Sequence, residues 1–157
     1  MDYKTFTENL KSHITALSPF QRKELGLAVC KKLFFYYQRF SDENSWGNPD
    51  MLLDGINFIQ ESNLNTTNIQ QAKKFIEEIT PDTEDFENYS YALNAAAAVW
   101  DTVFFLIDHD LKHIFSCCTY LTDTIDFKIQ ESDELTQSQI DEHQDMIDAR
   151  NFLLEFN

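Results

Sequence analysis

The chain has 157 residues, 43% of them hydrophobic, with 14 Phe but only 3 Gly and 3 Pro. That length suits one domain with a core that needs no staples, and the scarcity of breakers argues against a β-sandwich, which needs turn residues about every 8–12 positions. A formal net charge of −15 disfavours nucleic acid and anionic membrane, which are held by cationic contacts, and favours a basic partner.

Tyr3, Phe6, Leu10 and Ile14 recur at three- and four-residue intervals and predict an amphipathic helix from about Asp2 to Ala16. Ser18-Pro19-Phe20-Gln21 opens a second helix, with Ser at the N-cap, Pro in the first turn and Gln closing a capping box. It should run to about Phe40, with Leu25, Ala28, Val29, Leu33, Tyr36, Tyr37 and Phe40 facing the core and Lys23, Lys31, Lys32 and Arg39 along its polar side. Trp46-Gly47-Asn48-Pro49 breaks the pattern, and Asn48-Pro49 caps a third helix reaching about Glu61. After a polar connection from Asn63 to Asn68, a fourth helix, roughly Thr67 to Ile79, should bury Ile69, Ala72, Phe75, Ile76 and Ile79. Pro81 to Phe86 reads as a turn whose carboxylates can cap the amides that follow.

The stretch from Ala92 to Ile107, ALNAAAAVWDTVFFLI, is apolar on nearly every side. Such a helix either crosses a membrane or forms the centre of a bundle. Sixteen residues interrupted by Asp101 fall short of the roughly 20 a bilayer requires. The expectation is therefore a central helix from about Ser90 to Asp108, with Ala95 to Ala98 letting neighbours approach and Val99, Trp100, Val103, Phe104 and Leu106 supplying bulk. Asp110 caps a helix from Leu111 to about Gln130, carrying Ile114, Cys117, Cys118, Leu121, Ile125 and Ile129. Thr136 with Gln139 forms another capping box, opening a last helix to about Glu155. The sum is an all-α fold: one domain over 1–157, about seven helices bundled around the Ala-rich helix at about 90–108.

Charge is unevenly placed. Residues 1–40 carry seven basic and three acidic side chains, whereas residues 101–157 carry three basic and thirteen acidic. Asp141, Glu142, Asp145 and Asp148 gather part of that excess on the last helix, with Glu142, Asp145 and Asp148 at three-residue spacing along one face. The three cysteines, Cys30, Cys117 and Cys118, offer neither a disulfide framework nor zinc spacing, so buried free thiols are expected. The stretch MDYKTFTENLKSHI has no uninterrupted apolar core and no small-residue cleavage site. A cytoplasmic location is the expectation.

Five features keep a recognisable order: Leu17-Ser18-Pro19-Phe20-Gln21; Cys30-x-x-Leu33-x-x-Tyr36-Tyr37-x-x-Phe40; Trp46-Gly47-Asn48; Pro81-Asp82-x-x-Asp85-Phe86 before the Ala-rich helix; and Thr122-Asp123-Thr124-Ile125-Asp126 after it. In this the chain resembles the YjaG-like family, bacterial all-helical proteins without an established biochemical function. The resemblance spans roughly Leu17 to Glu131 and implies the all-α fold. It carries over no catalytic residue.

Of the enzyme-like clusters, Asp108-His109-Asp110 with His113 is the richest, because His109 and His113 have the four-residue spacing at which two imidazoles on one helix share a metal. Helical metal bundles, however, draw Glu and Glu-x-x-His pairs from several helices, and that pattern is missing. Acidic helical pyrophosphatases hold magnesium through Glu-x-x-Glu pairs, whose nearest counterparts are Glu84 with Glu87 and Asp123 with Asp126. Cys117-Cys118 sits mid-helix among apolar neighbours, poor surroundings for a nucleophile. The sequence thus favours a non-catalytic acidic protein-binding module, of the kind that serves as an immunity protein against a basic, nuclease-type toxin, with no cofactor and no metal. Asp141, Glu142, Asp145 and Asp148 are its candidate contact residues. The alternative is a small metal-dependent hydrolase of nucleotide-like substrates using the Asp108–Asp126 region.

Overall fold

The computed structural model describes residues 1–64, 69–82 and 85–157, and for residues 69, 71, 72, 74 and 75 the backbone alone. Among the described residues the chain forms eight helices and no strand: α1 (Tyr3–Ala16), α2 (Pro19–Asn44), α3 (Pro49–Glu61), α4 (Ile69–Ile79), α5 (Ser90–Asp108), α6 (Leu111–Ile129), α7 (Gln137–Glu142) and α8 (Gln144–Leu154). The starts follow the expected caps. Asp2, Ser18, Asn48, Asp110 and Thr136 each accept a backbone N–H from the first turn they open, and Ser18 and Thr136 complete capping boxes.

Helix α5 is the hub, packing against α2, α3, α4 and α6. Its length and composition alone would let it cross a membrane, but Tyr91, Ala92, Ala95, Ala96, Ala98, Val99, Thr102, Val103, Phe105 and Leu106 are all buried inside the bundle. The small-residue step works with a small residue opposite. A Cβ at Gly26 of α2 would lie 2.8 Å from both Cγ2 and Oγ1 of Thr102, so only glycine lets these two axes meet. Thr102 Oγ1 donates to Ala98 O (2.8 Å) and touches Cys117 Sγ (3.4 Å) and Cys30 Sγ (3.6 Å). Its hydroxyl is thereby satisfied at the junction of α2, α5 and α6. All three cysteines are free and buried, and burial pushes the Cys117 and Cys118 thiols up, away from reactivity.

Three features depart from the sequence reading. Helix α2 continues one turn past Phe40 to Asn44, ending at Ser45 in the left-handed region (φ 48°); the extension is polar (Ser41-Asp42-Glu43-Asn44), so apolar periodicity could not reveal it. Lys23, expected on the polar side of α2, is buried, and its ammonium donates to Gln60 O (3.3 Å) and Ser62 O (2.6 Å), capping α3. The expected last helix is two helices. His143 adopts extended backbone (ψ 133°), closing α7 and accepting the Asp145 N–H on Nδ1 to open α8. In the fourth helix Ile79 is buried and Ile76 half-buried, whereas the expectations for Thr67, Ile69, Ala72 and Phe75 lie outside the described residues or side chains.

Ala96 is 1% exposed, while Ala97 is half-buried. Ala96→Leu should therefore overpack the interface and lower unfolding free energy by roughly 1–3 kcal/mol, with Ala97→Leu costing clearly less. Urea melts of the two variants check this; equal costs would place the α5 contact face elsewhere.

Candidate functional site

An open cavity of about 1110 Å³ lies between the segment leading into α5, the first turns of α5 and the C-terminal half of α6. Six carboxylates line it: Asp85, Glu87, Asp123, Asp126, Glu131 and Glu134. No Lys, Arg or His lines it among the described residues, and Asn44, Asn88, Asn94 and Gln130 add amides while Phe86, Tyr89 and Phe127 add aromatic wall.

The entry side is pinned from beneath by aromatic packing. Phe86 meets Phe40 edge-on (5.3 Å between centroids) and Trp46 at 5.6 Å, and Trp46 meets Phe40 at 6.0 Å. Trp46 is held in turn by the chain reversal at Gly47, whose φ of 91° favours glycine. A Cβ there would sit 2.7 Å from the Tyr37 hydroxyl. That hydroxyl, fully buried, donates to Ile79 O (3.0 Å) and accepts the Asn48 N–H (3.2 Å), joining α2, the turn and the end of α4. Asn44 closes the rim, donating to Phe40 O (2.9 Å) and to Asn88 Oδ1 (3.2 Å).

Opposite, Tyr91 stacks on Tyr36 (5.7 Å) and receives the edge of Phe127 (5.1 Å), while its hydroxyl donates to Glu131. Burial and this carboxylate push the Tyr91 phenol well up. Arg39 binds Glu43 (2.8 Å) and Glu131 (3.4 Å) and lies over the Tyr91 ring (5.5 Å). Glu131 is therefore partly neutralised from within the protein. Asp126 accepts from Gln130 Nε2 (2.8 Å). Asp123 is different: it is exposed at the cleft surface, no hydrogen bond or cation holds it among the described residues, and partial desolvation by the crowded cleft together with the Asp126 charge raises its pKa above the ordinary 3.8.

The Asp108–His113 cluster is arranged otherwise than a metal site. His109 is the left-handed C-cap of α5 (φ 59°), with Nε2 donating to Leu64 O (3.0 Å), whereas His113 lies in α6. The turn of chain between them removes the shared helical face that their spacing suggested. His113 donates through Nδ1 to Asp101 (2.7 Å) and through Nε2 to Asp108 (3.0 Å), and Tyr120 donates to the other Asp101 oxygen (3.0 Å). Donating from both nitrogens requires the imidazolium. Burial opposes that charge, but the hydrogen bonds and charges of Asp101 and Asp108 outweigh it, so the His113 pKa is raised above 6.5. Burial and Asp101 push the Tyr120 phenol up to about 12. These groups staple the α5–α6 corner.

The C-terminal carboxylates do not share one free face, because His143 splits their helix. Asp141 turns inward to Arg150 (2.7 Å; side chains 12% and 4% exposed), which also donates to Met1 O (2.6 Å). Asp145 pairs with Lys128 (2.8 Å), a hydrogen bond that lowers the Asp145 pKa. Glu142 and Asp148 are exposed. What sequence reading missed is the cavity itself. Glu87, Asp123 and Asp126 stood out only as local carboxylate pairs, and their convergence, together with Glu131 and Glu134, needs the α5–α6 hairpin. Glu84 lies outside the described residues. Among those described, no three His, Cys, Asp or Glu side chains come close enough to share one metal ion.

Fold and site together define an all-helical protein with an acidic surface cleft. The family model described as "Protein of unknown function (DUF416)" matches residues 9–156, and the chain belongs to that family. It is similar to the crystal structure of a DUF416 family protein from Shewanella baltica OS155, at 22% identity and a TM-score of 0.78, covering 96% of this chain and 82% of that one. That likeness concerns the fold. No curated protein matches.

Two outcomes test these networks. Gly47→Ala should destabilise by about 1–3 kcal/mol through its positive φ and its clash with Tyr37; an unchanged melting temperature would contradict the strained turn. A raised folded-state pKa for His113 means that its stabilisation is complete below 6.5 and is lost as pH rises through the folded value. Stability should therefore fall as pH rises above 6.5 more steeply in the wild type than in His113→Gln. Parallel curves from urea unfolding would contradict the staple.

Proposed function

We propose that the protein is a non-catalytic binding module whose α5–α6 cleft receives a basic segment of a partner protein. In its specific form the partner is a nuclease-type toxin domain and the chain is an immunity protein acting in the cytoplasm. Within the DUF416 family, the motif order from Leu17 to Glu131 supports the narrower YjaG-like affinity.

One observation carries the reading: six carboxylates around a cavity of about 1110 Å³ with no cation in its described lining. Such a concave surface concentrates negative potential and steers a cationic ligand toward it. Its breadth matters, since the carboxylates are too dispersed to converge on one ion yet suited to several Lys or Arg side chains. Phe86, Tyr89 and Phe127 offer ring faces on which a guanidinium can stack. Asp123 adds a contact point, because a cation beside it would offset the repulsion from Asp126. A nuclease surface built for phosphates is complementary to such an array.

The alternative, a metal-dependent hydrolase using Asp108–Asp126, draws less support. Asp101 and Asp108 are already engaged by His113, which leaves them poorly placed to ligate a metal.

Material captured from the native host by the wild-type chain should include a basic protein that a Glu87→Lys/Asp123→Lys variant fails to hold and a Glu142→Lys variant retains. Calorimetry on the purified pair should give a loss of about 2–5 kcal/mol for the cleft variant. Equal affinities for the two variants would remove the cleft from the reading. Metal-dependent turnover of a nucleotide, abolished by Asp123→Asn, would replace it with the hydrolase.

A further inference from the structure

A second surface differs in character from the acidic cleft. Phe35 is 69% exposed on α2, an unusual position for a ring in so acidic a chain. It stands at the edge of a groove of about 350 Å³ between α2, α6 and α8, whose floor is Tyr36, Leu121, Ile125 and Ala149. Lys32 and Lys128 edge this groove together with Asp145 and Asp148. Lys32 also lies over the Phe152 ring, 4.3 Å from its centroid. Two cations and two anions therefore frame an apolar strip, so the groove is locally neutral on a chain whose formal charge is −15.

That balance selects the occupant. A strongly basic or a strongly acidic partner meets charges of both signs here and gains no net attraction. A second copy of the chain meets its own arrangement rotated by a two-fold axis, which brings the α2 side of one groove against the α8 side of the other. Self-complementarity of this kind is what an isologous interface requires. Each exposed Phe35 is then a knob for the partner's groove, and Lys32 of one copy faces Asp148 of the other, reciprocally. Elsewhere the net negative charge repels a second copy, so a locally neutral face is where self-association costs least.

We propose that the α2–α6–α8 groove is the interface of a two-fold symmetric homodimer, with Phe35 of each copy seated in the groove of the other and Lys32–Asp148 pairs flanking it. This inference is independent of the cleft and of its proposed partner.

The three side chains are exposed, so their substitution leaves the core intact, which melting curves verify. Sedimentation equilibrium at physiological salt is the test, because a Debye length of about 8 Å screens distant repulsion and leaves the contacting charges dominant. The wild-type mass should rise with concentration from 18.4 kDa toward twice that value. Phe35→Glu should remain monomeric over the same range. Lys32→Glu and Asp148→Lys should each raise the dissociation constant by about tenfold or more, from two like-charge contacts per dimer. Combining them restores opposite-sign pairs, so Lys32→Glu/Asp148→Lys should return most of the affinity. A wild-type protein that stays monomeric throughout would overturn the proposal. So would a dimer indifferent to Phe35→Glu, or a double variant no better than the worse single one.

Discussion

Gly26 and Thr102 meet where α2 crosses α5, and the architecture hangs on that meeting. With only a hydrogen at position 26, the Thr102 side chain occupies the space a Cβ would take. Cys30 and Cys117 then close on the same hydroxyl from α2 and α6. Three axes are drawn together by small residues, and the bulk sits on either side: Leu25, Val29 and Leu33 along α2, Val99, Val103 and Leu106 along α5. Close packing of this kind tolerates little change in volume, so it fixes the separation of α5 and α6. That separation in turn sets the width of the acidic cleft and the reach of the His113 staple.

The fold was legible because the start signals are local. Caps at Ser18, Asn48, Asp110 and Thr136 need only a side-chain oxygen and the next turn of backbone. Interior positions of α1, α2 and α6 repeat at helical spacing, and the Ala run marked the hub. What escaped was decided by tertiary partners. Lys23 looks like any surface lysine until α3 supplies the two carbonyls it caps. His143 splits the final helix although the residues around it keep helical periodicity. Several motifs behind the family resemblance turn out to be structural: Tyr37, Phe40, Trp46, Gly47 and Phe86 form one packed assembly. Their order along the chain says how the segment before α5 is anchored, and nothing about chemistry.

The cleft was less legible than the fold, since a concentration of charge in sequence is not a concentration in space. The densest run of carboxylates, near the C-terminus, is partly consumed within the protein: Asp141 holds Arg150 and Asp145 holds Lys128. The Arg150 pair is buried and ties α8 to α7 and to the N-terminus, whereas the half-exposed Lys128 pair is worth at most about 1 kcal/mol. The carboxylates left without an internal cation, Asp123 among them, come from separated stretches and converge only when α6 folds back along α5. A total of −15 could not distinguish the two groups.

The position of the cleft carries a further argument. Asp123 and Asp126 lie in the last two turns of α6, and Glu131 and Glu134 follow its end at Ile129. The carboxyl end of a helix carries partial negative charge, and each anion beside it typically costs 0.3–1 kcal/mol. Basic residues belong there by local preference, and Lys128 is the only one in the last turn, itself drawn away to Asp145. Arg39, already paired with Glu43, reaches in from α2 to Glu131 and to no other carboxylate of the described cleft lining. Violations of local preference with so little internal compensation concentrate at functional sites, because the missing charge is supplied on binding. Solubility would be served as well by the same carboxylates at the amino ends of helices, where they would also stabilise the fold. Asp126, Glu131 and Glu134 sit at the unfavourable end, around a cavity and beside ring faces, a placement that supports a cleft shaped for a cationic partner over a surface that is merely hydrated.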